Sequence, residues 1–464
     1  MSDTVSQTET IYALSSAAGK AGVSLIRVSG PKSWDTLKIF NPDVNYSKLS
    51  PRRSFVMTLK NPHTQDTIDS AMVIGFKNPH SFTGEDVIEY HCHGSKAVLA
   101  ELFDVLSKIE GCRMAEHGEY TRRAFENGKL DLTEAEAIGD LIDAETKAQK
   151  DQALSQMGGA LADLYNGWAT DLTKILAYIE AVIDFPDEEV PDDEIQKVLP
   201  QLTTLHAKIK DHLNDNRRGE RLRDGIKIAV IGAPNAGKST LINSLAQRDV
   251  AIVSDMAGTT RDIIEAHLNI AGYPVIIADT AGLRPELIGG TGHDAIEGEG
   301  MKRALDYARN ADIQLLLFDG SAPQLHKNTL DLLNTDSKTT SQTLVVVNKA
   351  DLHTDGGSKS PDMPQAIDIS AKNGDNIDVL LSKIADILKD QFLVSRETTF
   401  LTRKRHRDNI EQMCENIENS FNITEPELLA QELRFALYSI GRITGKIDVE
   451  DLLDVIFKDF CIGK

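Results

Sequence analysis

Four short motifs in this chain are typical of a guanine-nucleotide site. GAPNAGKS occupies residues 232–239, and DTAG, NKAD and SAK follow at residues 279–282, 348–351 and 370–372. The glycines of the first motif let backbone N–H groups face phosphates at the start of a helix. One such loop is only a moderate signal, because its residues are common. Four motifs in this order, at domain-sized spacing, predict a GTP-binding domain.

Each motif supplies a different contact to the nucleotide. We expect Lys238 to reach the β- and γ-phosphates and Ser239 to ligate Mg²⁺. Asp279 ends an apolar strand and would hold Mg²⁺ through water. Asp351 can accept both N–H groups of a guanine edge, which adenine lacks, so we expect GTP and not ATP. The predicted GTP contacts are Asn235, Ala236, Gly237, Lys238, Ser239, Thr240, Asp279, Thr280, Ala281, Gly282, Asn348, Lys349, Asp351, Ser370, Ala371 and Lys372.

The residue after DTAG departs from the Ras-like pattern. Ras-like GTPases have a glutamine there that orients the attacking water, whereas this chain has Leu283. Leucine offers no polar group, so another side chain must position the water. Another cation must balance the charge that develops between the β- and γ-phosphates. An arginine finger in that role is worth roughly 10³–10⁵ in rate, so the replacement matters for turnover.

Longer segments resemble one protein family closely. They are residues 81–94 (SFTGEDVIEYHCHG), residues 118–144, the AGTTRD segment at 257–262 and the terminal CIGK at 461–464. On these segments the chain resembles the MnmE (also called TrmE) family, the tRNA-modification GTPases of bacteria and organelles, over nearly all of its length. The resemblance implies K⁺-stimulated GTP hydrolysis. It also implies a hetero-oligomer with an FAD-dependent MnmG-type partner. This complex would add an aminomethyl or carboxymethylaminomethyl group to carbon 5 of the tRNA wobble uridine.

The resemblance further implies ligands and catalytic groups around the phosphates. Asn235 would help ligate K⁺, and this cation would act as an arginine finger does. The water-positioning glutamate maps onto Glu297, and Glu299 is the alternative. With Lys238 and Cys461, Glu297 completes the implied catalytic set. The implied metal ligands are Ser239 and Thr260 for Mg²⁺, with Thr259 as second choice, and Asn235, Ser254, Met256 and Thr259 for K⁺.

The N-terminal domain and the C-terminal tail carry the other implied functions. The family has a fold like that of tetrahydrofolate-binding enzymes here, forms a homodimer through it, and binds 5-formyl- or 5,10-methylene-tetrahydrofolate. Lys20 stands where the family usually has arginine, and lysine cannot form two parallel hydrogen bonds to a carboxylate. Cys461 would supply a thiol, as a nucleophile toward uracil or in one-carbon handling, and the alternative is a buried cysteine that closes the last helix. The implied folate contacts are Arg27, Glu89, Lys129 and Lys464.

Changes in composition along the chain predict a multidomain α/β plus α protein. Short apolar runs separated by Gly, Pro and Asn predict an α/β domain over residues 1–120. Apolar residues three and four apart predict helices over residues 121–218 and 386–464. A Ras-like GTPase domain with a mainly parallel sheet would occupy residues 219–385. The helical domain is therefore predicted to be discontinuous, with the GTPase domain inserted between its two parts.

Charge and cysteine content limit the partners and the compartment. The net charge is −21, from 71 acidic and 50 basic residues, which is unusual for a protein that acts on tRNA phosphates. Binding of tRNA must then use a local basic patch, such as residues 403–407 (RKRHR) or Arg52 and Arg53, or depend on the partner; solvated surface is the alternative for both runs. Four scattered cysteines predict a reducing cytoplasm. We expect no membrane span, and neither a signal nor a transit peptide.

A second function class stays open at this point. The chain could be a GTP-dependent switch or a ribosome-assembly factor without one-carbon chemistry. The N-terminal domain and Cys461 discriminate between the two classes, because a pure switch needs neither.

The sequence generates one kinetic prediction. Glu297→Ala should cut GTP turnover heavily and leave GTP affinity nearly unchanged, because a water-positioning carboxylate acts on the transition state more than on the bound nucleotide. Glu299→Ala, measured in the same way, tests the alternative residue. Steady-state hydrolysis and equilibrium nucleotide titration check this, and unchanged turnover in Glu297→Ala would remove that residue from the mechanism.

Overall fold

The computed structural model describes most of the chain between residues 9 and 463. The described ranges are 9–43, 45, 49–184, 193–233, 235–248, 265–279, 307–321, 342–352, 365–392, 399–447, 449–458 and 460–463. Several predicted site residues lie outside them, namely Ser254, Met256, Thr259, Thr260, Thr280, Ala281, Gly282, Glu297, Glu299 and Lys464. Two compact units make up the chain. Unit 1 comprises Met1–Gly139, Gln156–Ile183 and Thr424–Lys464, and unit 2 comprises Asp140–Ser155 and Asp184–Ile423. The predicted four-part domain division stays a prediction.

Unit 1 contains a six-stranded sheet among its described residues, with the order β3-β4-β5-β2-β1-β6. Neighbouring strands are antiparallel except for β1 and β6, which pair in parallel. Buried and more exposed positions alternate along β4, as expected when one face of a sheet covers a core. The strands are β1 (Thr10–Leu14), β2 (Ala21–Ser29), β3 (Ser54–Lys60), β4 (Thr67–Phe76), β5 (Val87–Gly94) and β6 (Cys112–Met114).

Unit 2 contains a second six-stranded sheet in its described part, with the order β12-β11-β10-β7-β9-β8. Only the pair β8–β9 is antiparallel, so the sheet is mainly parallel, as the sequence predicts. The central strand β10 is apolar and almost entirely buried, as is usual for a parallel strand covered on both faces. The strands are β7 (Ile226–Gly232), β8 (Glu265–Ile270), β9 (Tyr273–Asp279), β10 (Ile313–Asp319), β11 (Gln342–Asn348) and β12 (Ile367–Asp368).

Helices follow the predicted apolar periodicity, most clearly in the long segment after residue 160. That helix buries Leu161, Tyr165, Trp168 and Leu172 at spacings of three and four. The helices are α1 (Asp35–Phe40), α2 (Lys96–Ser107), α3 (Glu119–Glu126), α4 (Leu132–Ile142), α5 (Lys147–Met157), α6 (Ala160–Asp184), α7 (Asp193–Leu213), α8 (Arg218–Asp224), α9 (Lys238–Ala246), α10 (Ile377–Phe392), α11 (Lys404–Ser420), α12 (Pro426–Thr444) and α13 (Glu450–Lys458). In the described part of the chain, no helix combines the length and apolar character needed to cross a membrane.

A buried ion-pair network fixes the start of α3 in unit 1. Glu119 accepts hydrogen bonds from Arg113 (Nη2 to Oε1, 2.7 Å) and Arg123 (Nη2 to Oε1, 2.8 Å). Arg123 also reaches Glu85, with Nη1 3.1 Å from Oε1. Burial alone would raise the pKa of Glu119, but the bonds from Arg113 and Arg123 lower it below its ordinary value. The carboxylate therefore stays charged and ties α3 to β6.

Two arginines of the basic run at residues 403–407 are held in ion pairs, whereas Lys404 between them is exposed. The Arg407 side chain is 5% exposed, and its guanidinium contacts Asp215 (Nη2 to Oδ1, 2.6 Å) and also pairs with Glu220. Arg403 pairs with Asp140, with Nη2 2.7 Å from Oδ1. These pairs connect α11 with α4 and α8 inside unit 2. Both interpretations offered by the sequence are therefore wrong for these two arginines.

This network generates a stability prediction. Arg407→Ala should lower the free energy of unfolding by about 3–5 kcal/mol, because it leaves the buried carboxylate of Asp215 without its cation. The exposed Arg52 is the control, and Arg52→Ala should change stability by no more than about 0.5 kcal/mol. Urea and thermal unfolding of the full chain measure both. Equal losses in the two variants would contradict the internal role of Arg407.

Candidate nucleotide site and C-terminal thiol site

The phosphate loop runs from the end of β7 to the start of α9 in unit 2. Asn235 and Gly237 have positive φ angles of 66° and 93°, which asparagine and glycine tolerate better than other residues. A Cβ on Gly232 would lie 2.4 Å from the carbonyl oxygen of Leu317, so the loop packs closely against β10. The backbone N–H groups at the start of α9 form the kind of site that binds phosphate.

The predicted phosphate and magnesium side chains meet at this loop. Lys238 donates from Nζ to the carbonyl oxygens of Gly232 (2.9 Å) and Ala233 (3.0 Å). Ser239 donates from Oγ to Oδ2 of Asp279 at 2.6 Å, and Asp279 is 1% exposed at the end of β9. A hydroxyl and a carboxylate are hard oxygen donors of the kind that Mg²⁺ prefers. The two side chains therefore fit a magnesium ion beside the loop.

The base motifs are joined to the phosphate loop by a single buried amide. Asn348 donates from Nδ2 to the carbonyl oxygen of Ala236 at 2.9 Å, and its Oδ1 accepts from the backbone N–H of Ala371 at 2.9 Å. Ser370 donates from Oγ to Oδ1 of Asp351 at 2.7 Å, which fixes an exposed carboxylate. Asp351 can therefore accept hydrogen bonds from a guanine edge.

Thr240 and Lys372 complete the described part of the predicted set. Thr240 follows Ser239 on α9, Lys372 follows Ala371, and both side chains are exposed. Within the described region, the placement of Thr240 and Lys372 does not differ from that of ordinary surface residues. The remaining nucleotide residues named from sequence lie outside the described ranges.

Asp319 is a site residue that the sequence reasoning missed. Its Oδ2 accepts from Nζ of Lys349 at 2.5 Å, and Lys349 has a positive φ of 67°. Partial burial would raise the pKa of Asp319, but the hydrogen bonds from Lys349 and Ser321 lower it below its ordinary value. The available signal was the position of Asp319 at the end of the apolar strand β10, beside the two strands that carry the phosphate and base motifs.

In unit 1, Arg27 and Glu89 form a cross-strand pair on β2 and β5. They are register partners, with Arg27 Nε 3.0 Å from Glu89 Oε1. The Arg27 guanidinium lies 5.6 Å from the ring centres of both Phe82 and Tyr120. Burial raises the pKa of Tyr120, and its hydroxyl donates to the Arg27 carbonyl oxygen at 2.7 Å. The partly exposed side chain of Arg27 is thus surrounded by one carboxylate and two aromatic rings.

The other predicted folate contacts are placed differently. Lys129 donates from Nζ to the carbonyl oxygen of Pro79 at 2.8 Å, and Lys20 is exposed. Lys464 lies outside the described residues. Of the implied folate contacts, the structure therefore brings together Arg27 and Glu89.

The C-terminal tail is attached to the start of α3. Nδ1 of His117 lies 2.8 Å from the carbonyl oxygen of Phe460, and His117 forms an antiparallel bridge with Ile462. A Cβ on Gly463 would lie 2.2 Å from the carbonyl oxygen of Leu14. Between these anchors the thiol of Cys461 is exposed. The predicted alternative, a buried cysteine that closes the last helix, is wrong.

Strand register connects the tail with the Arg27–Glu89 pair. Leu14, which Gly463 contacts, is the partner of Ile26, and the preceding residue Ala13 is the partner of Arg27. Arg27 in turn pairs with Glu89 across β2 and β5. Gly463 therefore contacts β1 one register position away from the partner of Arg27.

The parallel sheet, the phosphate loop and the Asn-Lys-x-Asp base motif define a P-loop GTP-binding protein. The family description "GTP-binding protein TrmE N-terminus" matches residues 10–129, and "MnmE helical domain" matches residues 132–461. The tRNA modification GTPase MnmE of Rickettsia bellii (strain OSU 85-389) is 46% identical over 461 residues, which cover 98% of this chain and 100% of that protein. The same-named protein of Parvibaculum lavamentivorans is 47% identical over 460 residues, with equal coverage. This chain belongs to the MnmE (TrmE) family of tRNA modification GTPases, which confirms the resemblance found in the sequence.

The contact between the loop and Asn348 generates a binding prediction. Gly237→Ala should weaken GTP binding by more than about tenfold, equivalent to about 1.4 kcal/mol. A Cβ there would lie 2.2 Å from Nδ2 of Asn348, so the bridge to the base motifs must move. Titration with a fluorescent GTP analogue measures the change.

Gly272→Ala is the matched control for backbone strain. Gly272 has a φ of 90°, and a Cβ there would meet Lys147 at an ordinary 3.6 Å. If Gly272→Ala weakens GTP binding as much as Gly237→Ala does, strain and not the clash with Asn348 explains the loss.

Proposed function

We propose that this chain hydrolyses GTP with stimulation by K⁺ and, with an FAD-dependent partner, adds an aminomethyl or carboxymethylaminomethyl group to carbon 5 of the tRNA wobble uridine. The observation that carries the proposal is the exposed Cys461 on a tail that is anchored at His117 and at Leu14, the residue after the register partner of Arg27. A protein that only switches between nucleotide states has no use for such a thiol. The alternative of a GTP-dependent switch or ribosome-assembly factor is therefore not favoured.

The potassium part of the proposal depends on Asn235. This residue is exposed at the bend of the phosphate loop, and its amide oxygen is a hard donor that suits an alkali cation. A cation held there supplies positive charge where negative charge develops on the phosphates. The cation held by Asn235 would thereby serve the role that an arginine finger has in other GTPases. Thr260 for Mg²⁺, the further K⁺ ligands and the water-positioning Glu297 remain part of this proposal.

The folate part depends on the donor set around Arg27. The carboxylate of Glu89 accepts hydrogen bonds from ring and amino N–H groups, and the guanidinium of Arg27 donates to carbonyl or carboxylate oxygens. Phe82, which is 39% exposed, offers an aromatic face beside them. These groups fit a reduced pterin with its negatively charged tail. A tetrahydrofolate bound there supplies the one-carbon unit.

The chemistry that this chain itself contributes is a positioned sulfur. A thiolate and not a thiol is the nucleophile, so the proton of Cys461 must leave before the sulfur attacks an electron-poor ring or a one-carbon donor. The bonds from His117 to the residues on either side of Cys461 restrict the tail. His117 and Gly463 therefore orient the thiol.

A homodimer through unit 1 agrees with an exposed apolar pair on the two strands at one edge of its sheet. Val56 on β3 is 75% exposed and is the register partner of Met72 on β4, which is 40% exposed. The strand β3 lies at one edge of the sheet, where unpaired backbone groups favour association. Contact with tRNA phosphates then relies on local cations or on the FAD-dependent partner, because the chain carries a net charge of −21.

The thiol provides the test of this function. Cys461→Ser should abolish the carbon-5 modification and spare GTP hydrolysis, because serine keeps the size of the side chain but removes its nucleophilicity. Mass spectrometry of tRNA nucleosides, from cells lacking this chain and complemented with either form, measures the modification. GTP turnover is measured in K⁺ and in Na⁺ salts at matched ionic strength.

Cys112→Ser, at a half-buried position on β6, is the matched control and should rescue modification fully. Full modification by Cys461→Ser would remove the thiol from the mechanism. Intact modification in cells without this chain, once a redundant enzyme is excluded, would favour the switch function. Equal turnover in both salts would refute the K⁺ part alone.

A further inference from the structure

A cluster of metal-ligating side chains lies in unit 2, away from the nucleotide loop in sequence and on different elements. His206 on α7 meets Cys414 and Glu418 on α11, and their ligand atoms all lie within 4.8 Å of one another. We propose that His206, Cys414 and Glu418 form a Zn²⁺ site that joins α7 to α11. The proposal concerns a metal separate from the Mg²⁺ and K⁺ of the nucleotide site, and it does not depend on the proposed function.

Local helix geometry produces this cluster. Cys414 and Glu418 are four residues apart on α11, so they occupy the same helix face. Cys414 is 6% exposed, whereas the Glu418 side chain is 45% exposed. The His206 ring packs edge-on against Phe421, with ring centres 5.5 Å apart. A buried sulfur and a restrained imidazole thus line the inner side, and a carboxylate closes the solvent side.

The distances suit a tetrahedral ion after a small adjustment. Zinc lies about 2.0–2.1 Å from imidazole nitrogen and about 2.3 Å from thiolate sulfur, so these two ligand atoms on one tetrahedral ion are separated by roughly 3.5–3.6 Å. Nε2 of His206 already lies 3.1 Å from Oε1 of Glu418. The widest separation in the cluster is at most 4.8 Å, which a rotation of one side chain can close. A water molecule would complete four-coordination on the exposed side.

The ligand types favour zinc over the hard cations of the nucleotide site. Thiolate and imidazole suit zinc, whereas Mg²⁺ selects oxygen ligands in octahedral geometry. A single carboxylate is an accepted third ligand for zinc. One nitrogen, one sulfur and one oxygen donor therefore point to this ion.

Lys210 is the competitor that gives the proposal a distinctive test. Its Nζ pairs with Oε1 of Glu418, and this contact lowers the pKa of the Glu418 carboxyl. The Lys210 side chain is 58% exposed, so the ammonium group has room to leave. In the simpler interpretation, His206 and Lys210 both pair with Glu418 at the surface, and Cys414 is a buried core residue beside them. Surface ion pairs of this kind contribute little to stability. That interpretation predicts no metal binding.

The first experiment measures metal binding directly. Full-length chain stripped of metal with a chelator, and held in excess Mg²⁺ to occupy other sites, is titrated with Zn²⁺ by calorimetry and with Co²⁺ by absorption. We expect about one equivalent of Zn²⁺, and a sulfur-to-cobalt charge-transfer band together with tetrahedral cobalt bands. Zn²⁺ should also raise the melting temperature, because a ligand that binds only the folded state stabilises it.

Variants at the cluster should act in opposite directions. Cys414→Ser should remove the charge-transfer band, and His206→Gln and Glu418→Gln should each weaken Zn²⁺ binding by more than about tenfold, equivalent to about 1.4 kcal/mol. Lys210→Gln should tighten binding, because it removes the competing cation from Glu418. Cys461→Ser controls for the exposed tail thiol and should leave the band unchanged.

Two results would overturn the proposal. One is a wild-type chain that binds no Zn²⁺ at micromolar concentration. The other is a charge-transfer band that survives Cys414→Ser or disappears in Cys461→Ser. Glu418→Gln alters an exposed side chain, so it keeps the test decisive if Cys414→Ser disturbs the buried contact between the helices.

Discussion

The amide of Asn348 is the interaction on which the nucleotide site depends. It is 3% exposed and spans from Ala236 in the phosphate loop to Ala371 in the SAK motif. A buried amide that loses a partner costs about 1–3 kcal/mol, so the loop and the base motif keep one relative position. The close approach of Gly237 to Nδ2 of Asn348 exists for the same reason. The phosphate loop and the base motif are thereby held at a fixed separation. A nucleotide with the wrong base therefore cannot place its phosphates and its base correctly at the same time.

A buried charge has the corresponding role in unit 1. Glu119 begins α3 and accepts from Arg113, Arg123 and the backbone N–H of Glu116. It therefore fixes the two preceding residues, His117 and Gly118, on which the tail docks. Breaking a buried ion pair costs several kcal/mol, whereas the tail has only a few backbone contacts. The position of the thiol is thus set by a strong network that lies away from the thiol itself.

The sequence predicted the features that short motifs encode, and it missed the contacts between residues that are distant along the chain. The placement of Asp279 and Asn348 follows from motifs at the ends of apolar strands, because the carboxyl ends of parallel strands meet at one edge of a sheet. The internal role of Arg403 was hidden, since its partner Asp140 lies 263 residues away along the chain. Docking of the tail was hidden likewise, because His117 and Phe460 are 343 residues apart. Basic composition alone does not tell an exposed cation from one neutralised inside the fold.

This distinction changes how the charge of the chain bears on tRNA. Several arginines are already neutralised by acidic partners in the described part of the fold, among them Arg27, Arg113, Arg123, Arg403 and Arg407. Internal pairs remove positive and negative charge equally, so the net value of −21 still faces the solvent. Fewer basic side chains are then left to contact phosphates, whose neutralisation dominates nucleic-acid affinity. Under the proposed function, the FAD-dependent partner is therefore the expected source of much of the attraction for tRNA.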